Sequence, residues 1–188
     1  MMLKRPQRYL LMILSSIAVA WTVLRLLPLK AALGFALVPI AMVLVLIVWA
    51  RQLFVGRWHT RRRQWEKAVA SYQRYEKMLL MNRFSGWLAP LHLGIHTLDG
   101  VARTRNLIAQ ALMQMQKPDE AEGWLRASLQ RDPLYAVPYT NLGTIAAWRG
   151  QDAMARRHFQ KAVDLGFSPV MAEQLFQRAR QRARAGRQ

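Results

Sequence analysis

His92 and His96 stand four residues apart, which on a helix puts both imidazoles on one face at a metal-ligand spacing. No HExxH pattern joins them, the chain has no Cys, and Asp99 is the one nearby carboxylate to complete a ligand set. Two amphipathic histidines beside an apolar face are therefore the preferred reading, and an accessory metal-binding membrane subunit built on His92 and His96 is kept as an alternative. Gly94 and Gly100 are isolated, no GxxxxGK or GxGxxG occurs, and no serine sits in a nucleophile-elbow pattern. The ten carboxylates are scattered where helix salt-bridge partners belong. The reading is a protein that is not an enzyme and needs no metal or cofactor.

The elements that must position these residues begin with apolar runs. Residues 31–50, AALGFALVPIAMVLVLIVWA, carry no charge, and 20 residues at about 1.5 Å each match the hydrocarbon thickness of a bilayer. A second run, residues 9–29, is broken only by Arg25, whose long side chain can reach the headgroups. Its positive start and Ala18-Val19-Ala20 also fit a signal peptide, but the apolar run continues past Trp21 to Leu24, so a span is preferred. The two form a helical hairpin. Residues 1–8 carry Lys4, Arg5 and Arg8, and the flank after the second run carries Arg51, Arg57, Arg61, Arg62 and Arg63, whereas the turn offers Arg25 and Lys30. By the excess of cations on the inner side, both termini are expected in the cytoplasm. Residues 51–64 read as a basic juxtamembrane linker lying on the lipid headgroups.

From about Thr60 onward apolar residues recur at three and four spacing between short turn signals, so the fold class is all-α. An offset of 34 aligns Ile108 with Leu142, Ala109 with Gly143, Leu112 with Ala146, Ala121 with Ala155 and Leu125 with Phe159. Two copies of one helical hairpin follow, residues 102–135 and 136–169. The second copy, Tyr139-x2-Leu142-Gly143-x2-Ala146 then Ala155-x3-Phe159-x2-Ala162, resembles the tetratricopeptide repeat. The first copy has Arg105 in place of the aromatic, Ala109 for the glycine and Ser128 for the later alanine, with Pro133 where a repeat ends. Gly150 is expected to end one helix and Asp152 to cap the next.

The expected architecture is thus a transmembrane hairpin, then a short solenoid of helical hairpins over residues 65–168, then a cap helix and basic tail over 170–188. Trp65 to Tyr75 is similar to the second helix of a further, degenerate repeat, with Ala68 and Tyr72 in the Ala-x3-aromatic arrangement. Residues 83–100 do not fit the period and read as an apolar helical insertion.

The resemblance implies a scaffold or adaptor that binds a protein or peptide in a groove lined by the first helix of each repeat. Arg103, Asn106, Gln110, Asn141, Thr144 and Trp148 would line it. Of the lysine, asparagine and arginine set with which some family members grip a terminal carboxylate, only Asn141 falls at a matching place. The second expected partner is the bilayer, and the expected location a bacterial inner membrane. The tail arginines, Arg178, Arg180, Arg182, Arg184 and Arg187, leave a membrane-tethered nucleic-acid binder as a further alternative, weakened by the absence of aromatics among them.

Overall fold

The computed structural model describes Thr22, residues 51–81, Thr97 and residues 99–185. Apart from Thr22, the two apolar runs at 9–29 and 31–50 lie outside the described residues, as do the histidines 92 and 96 and most of 83–100. Among the described residues no helix is long and apolar enough to cross a membrane. Seven helices follow one another among the described residues: α1 Arg51–Arg61, α2 Trp65–Met81, α3 Gly100–Gln114, α4 Pro118–Arg131, α5 Ala136–Trp148, α6 Asp152–Asp164 and α7 Pro169–Ala185. The segment from Gln52 onward forms one compact unit.

The helices pack as adjacent hairpins: α3 on α4, α5 on α6, with α2 against α3, α4 against α5, and α7 laid across α5 and α6. This neighbour-on-neighbour order is that of a solenoid, in which each unit touches only the next. α3 starts where Asp99 accepts the Ala102 N–H at 2.8 Å, and Arg131 from the end of α4 reaches the same carboxylate at 3.1 Å. α4 starts at Pro118, whose missing N–H is no loss in a first turn. α6 begins at Asp152 itself; the preceding Gln151 occupies the cap position, and the Asp152 carboxylate pairs with Arg180 of α7 at 3.0 Å instead of capping.

One register runs through three hairpins. Gly143 in α5 is followed seven residues later by Gly150, twelve later by Ala155 and sixteen later by Phe159; from Ala109 in α3 the same steps reach Gln116, Ala121 and Leu125. From Gly56 in α1 they reach Arg63, Ala68 and Tyr72. The sevenfold step lands each time on a left-handed residue, at φ 57° for Arg63, 61° for Gln116 and 78° for Gly150. At each of these ends the next N–H bonds back five residues, Gln64 to His59, Lys117 to Leu112 and Gln151 to Ala146, at 2.9 to 3.0 Å. That is the pattern of a helix closed by a left-handed residue. The three alanines are fully buried, and so are Tyr72 and Leu125 within about a percent.

The stretch read as a juxtamembrane linker is therefore helical from Arg51 to Arg61 and supplies the first helix of a third hairpin. Its contribution to the core is Leu53 and Gly56. Tyr72 lies on Gly56, so that a methyl group built there would fall on the Tyr72 ring, and Thr60 meets the Tyr72 hydroxyl at 3.0 Å. Gly56 and Ala109 are 53 residues apart, 19 more than the 34 between Ala109 and Gly143; the difference is the insertion between α2 and α3.

The buried side chains fall into two clusters, one from α1 to α5 and one around Phe159 and Phe176 on α6 and α7, whose rings meet edge-on with centroids 6.0 Å apart. Phe176 is also covered by Arg156 at 4.6 Å and Arg180 at 5.5 Å from its centroid. Trp148 packs against both clusters.

Glycines sort by what surrounds them. A Cβ on Gly143 would stand 2.9 Å from the Phe159 ring, whereas Gly123, exposed in the middle of α4, has nothing within 4 Å. Gly143→Ala is expected to destabilise the domain by about 1 to 3 kcal/mol through overpacking. Gly123→Ala is expected to stabilise it by about 0.5 to 1 kcal/mol, since only helix propensity changes. Thermal unfolding followed by circular dichroism checks both, and equal shifts would contradict the assigned register.

Candidate partner-binding surface

α3 and α5 lie side by side as first helices of successive hairpins, and a chain of polar groups ties them. Asn141 donates to the Asn106 carbonyl oxygen at 2.8 Å, and Asn106 donates in turn to the Tyr135 hydroxyl at 3.4 Å. Asn106 is 2% exposed. It serves as a strut between repeats, because a buried amide left without such partners would cost about 1 to 3 kcal/mol.

The other sequence-derived contact residues divide. Thr144 is half-buried and spends its hydroxyl on the Thr140 carbonyl at 2.9 Å. Trp148 fills the joint between the two core clusters and carries the Arg182 guanidinium 5.0 Å from its ring centroid. Arg103, Gln110 and Asn141 keep partial exposure on the α3 and α5 surface. Of the arginines assigned to the membrane surface, Arg51, Arg57, Arg61, Arg62 and Arg63 are all exposed. Arg180 and Arg182, read as tail cations, are instead engaged with Asp152, Phe176 and Trp148 on the fold.

Arg103 lies in surroundings that sequence spacing did not show. Burial lowers its pKa, as does the charge of Arg57, and Tyr135, Tyr75 and Tyr72 act in the opposite sense. Burial pushes the Tyr75 and Tyr135 phenols up to about 12, so both stay protonated at neutral pH. The half-exposed Arg103 and the exposed Arg57 thus lie near each other, with Tyr72, Tyr75 and Tyr135 buried at 1, 2 and 5% exposure close by. The signal that finds Tyr72 is its place sixteen residues after Gly56; Tyr75, three further on, takes the place that Ser128 and Ala162 hold in the other hairpins.

The odd residues of the first copy are explained by bonds. Arg105, where an aromatic was expected, directs its Nε to Glu76 of α2 at 2.6 Å and its Nη1 to the Ala127 carbonyl of α4 at 2.9 Å, joining three helices. Ser128, in place of alanine, donates to the Ala102 carbonyl at 2.6 Å with no exposure. Asp99, the one carboxylate near the two histidines, is occupied as the α3 cap and the Arg131 partner.

Residues 101–131 match the tetratricopeptide repeat. The matched span is α3 and α4, the copy whose signature residues depart furthest from the pattern. No curated protein matches the chain. A tetratricopeptide repeat in an all-α stack suggests a protein–protein interaction scaffold.

On the outer edge Arg149 bridges Asp119 at 2.5 Å and Glu122 at 2.6 Å, and Glu122 also holds Arg126. Those hydrogen bonds, that of Arg126 first, draw the Glu122 pKa down. His158, half-buried beside Tyr139 with ring centroids 6.4 Å apart, has its pKa lowered by burial and then by Arg126, against the opposing charge of Glu122.

Two outcomes follow from these bonds. Removing Arg105 alone, as Arg105→Met, strands the Glu76 carboxylate, which is 7% exposed, and is expected to cost about 3 kcal/mol. The double change with Glu76→Met should recover most of it, because an apolar pair carries no desolvation cost; unfolding midpoints of the two variants decide. For His158 the folded pKa lies below the unfolded value of about 6.5, so above that pH it contributes nothing. As pH falls through that value the unfolded chain takes the proton first, and stability drops until the folded pKa is passed. His158→Gln should flatten the change in midpoint between pH 7.5 and 5.5.

Proposed function

We propose that this chain is a membrane-held scaffold that docks a protein or peptide partner at the cytoplasmic face of a bacterial inner membrane. The observation that carries the scaffold reading is the shared register of three hairpins, one of them spanning the repeat match. The anchor rests on the sequence alone: the uncharged residues 31–50, the run at 9–29 and the excess of arginine after them. Arg103, Gln110 and Asn141 are the groups offered to a partner, with Arg57 adding charge that favours an acidic segment. Asn106 and Trp148 hold the surface in shape. A nucleic-acid role for the carboxyl end has less to draw on, since Arg180 and Arg182 are engaged within the fold.

The test has two arms. Carbonate washing should leave the full chain in the membrane fraction, and protease outside sealed cells should leave residues 51–188 intact; release or cleavage contradicts the anchored, inward-facing reading. A photoreactive residue at Gln110 should give discrete adducts in native membranes while one at exposed Gly123 gives none. Equal labelling from both positions contradicts a groove on α3 and α5.

A further inference from the structure

The helix α1 has two faces of opposite chemistry. Leu53, Gly56 and Thr60 recur at three and four spacing and turn toward Tyr72 and the core. The opposite side carries Phe54 and Trp58, one turn apart, 51% and 47% exposed, with Arg57 and Arg61 beside them. Arg62, just past the helix end, lays its guanidinium 4.1 Å from the Trp58 ring centroid. Both exposed aromatics lie away from the Gly56 and Thr60 contacts with Tyr72 that pack the hairpin.

The charge around them is of one sign. From Met1 to Trp65 the sequence contains no Asp or Glu, and the first carboxylate is Glu66 at the start of α2. Aromatic rings interleaved with arginines and free of acids suit the headgroup layer of an anionic bilayer, where the rings reach the acyl boundary and the guanidiniums meet phosphate. In sequence the described helix Arg51–Arg61 follows directly on the uncharged residues 31–50. A lipid surface is then the nearest occupant for this face, an argument that rests on reading 31–50 as a span.

We propose that the exposed face of α1, Phe54 and Trp58 among Arg57, Arg61 and Arg62, is a docking surface for anionic lipid. The first hairpin is thereby seated on the bilayer, and the scaffold is held at a fixed attitude to the membrane.

Because the chain contains no cysteine, single positions can be labelled cleanly. An environment-sensitive nitrobenzoxadiazole probe is attached at Phe54→Cys, at Trp58→Cys and, as control, at Gly123→Cys in the full chain. Each protein is reconstituted into vesicles of phosphatidylcholine alone or with phosphatidylglycerol. The expected result is a blue-shifted emission at positions 54 and 58 with phosphatidylglycerol, none at 123, and loss of the shift when Arg57, Arg61 and Arg62 are each changed to Glu. A water-like spectrum at 54 and 58 in the anionic vesicles overturns the proposal. Equal shielding in both vesicles, unmoved by the arginine reversals, also overturns it, since a protein surface would then cover the face. Failure of the span is read separately, as release of the same reconstituted chain by carbonate, while the probe reports only on α1.

Discussion

Each hairpin is held by a large side chain set against a residue with little or none. Where the large partner is aromatic, as with Tyr72 and Phe159, the facing position is glycine, Gly56 or Gly143; where it is Leu125, the residue in the same register is Ala109, and both are fully buried. The two positions exchange volume, which is what close packing at nearly crystalline density demands of helices that approach this closely. Everything else in the stack depends on that spacing. The left-handed turn that reverses the chain lies seven residues after the small position, and the buried alanine that lets the second helix come near lies twelve after it.

Polar groups fill the places where this pattern lapses. Arg105 replaces an aromatic and compensates with an ion pair to Glu76 and a bond to Ala127; Ser128 replaces an alanine and bonds to Ala102. The amide pair of Asn106 and Asn141 does the same between repeats. Acids are scarce in a chain of net charge +18, and Glu76, Asp99, Asp119, Glu122 and Asp152 all face arginines across helices. Carboxylates are thus drawn into the joints of the stack. The positive excess is left on the outside, most densely on α1.

The hairpins at 102–135 and 136–169 were legible because an offset of 34 aligns their core residues directly. The hairpin of α1 and α2 is half legible: Ala68 and Tyr72 announce the second helix, but the arginine-rich first helix reads as a linker. Two physical causes hid it. The insertion before α3 displaces the period, and the key residue of α1 is Gly56, which packs by lacking a side chain and so leaves no hydrophobic signal among the arginines. The surface residues were less legible for a related reason. Spacing tells which helix face Asn106 and Trp148 occupy, but not that a neighbouring repeat consumes the amide or that a cap helix closes over the indole.

A stack of this kind passes position from one unit to the next, because every repeat contacts only its neighbours. Gly56 fixes α1 on α2 through Tyr72, Glu76 fixes α2 on α3 through Arg105, and Asn106 fixes α3 on α5 through Asn141. The orientation of α1 therefore determines where Arg103, Gln110 and Asn141 point. A basic, aromatic face at the start of such a series is placed where one surface contact can orient the helices that follow it. In a scaffold the attitude of the binding surface matters as much as its chemistry, and here both run through the packing of Tyr72 on Gly56.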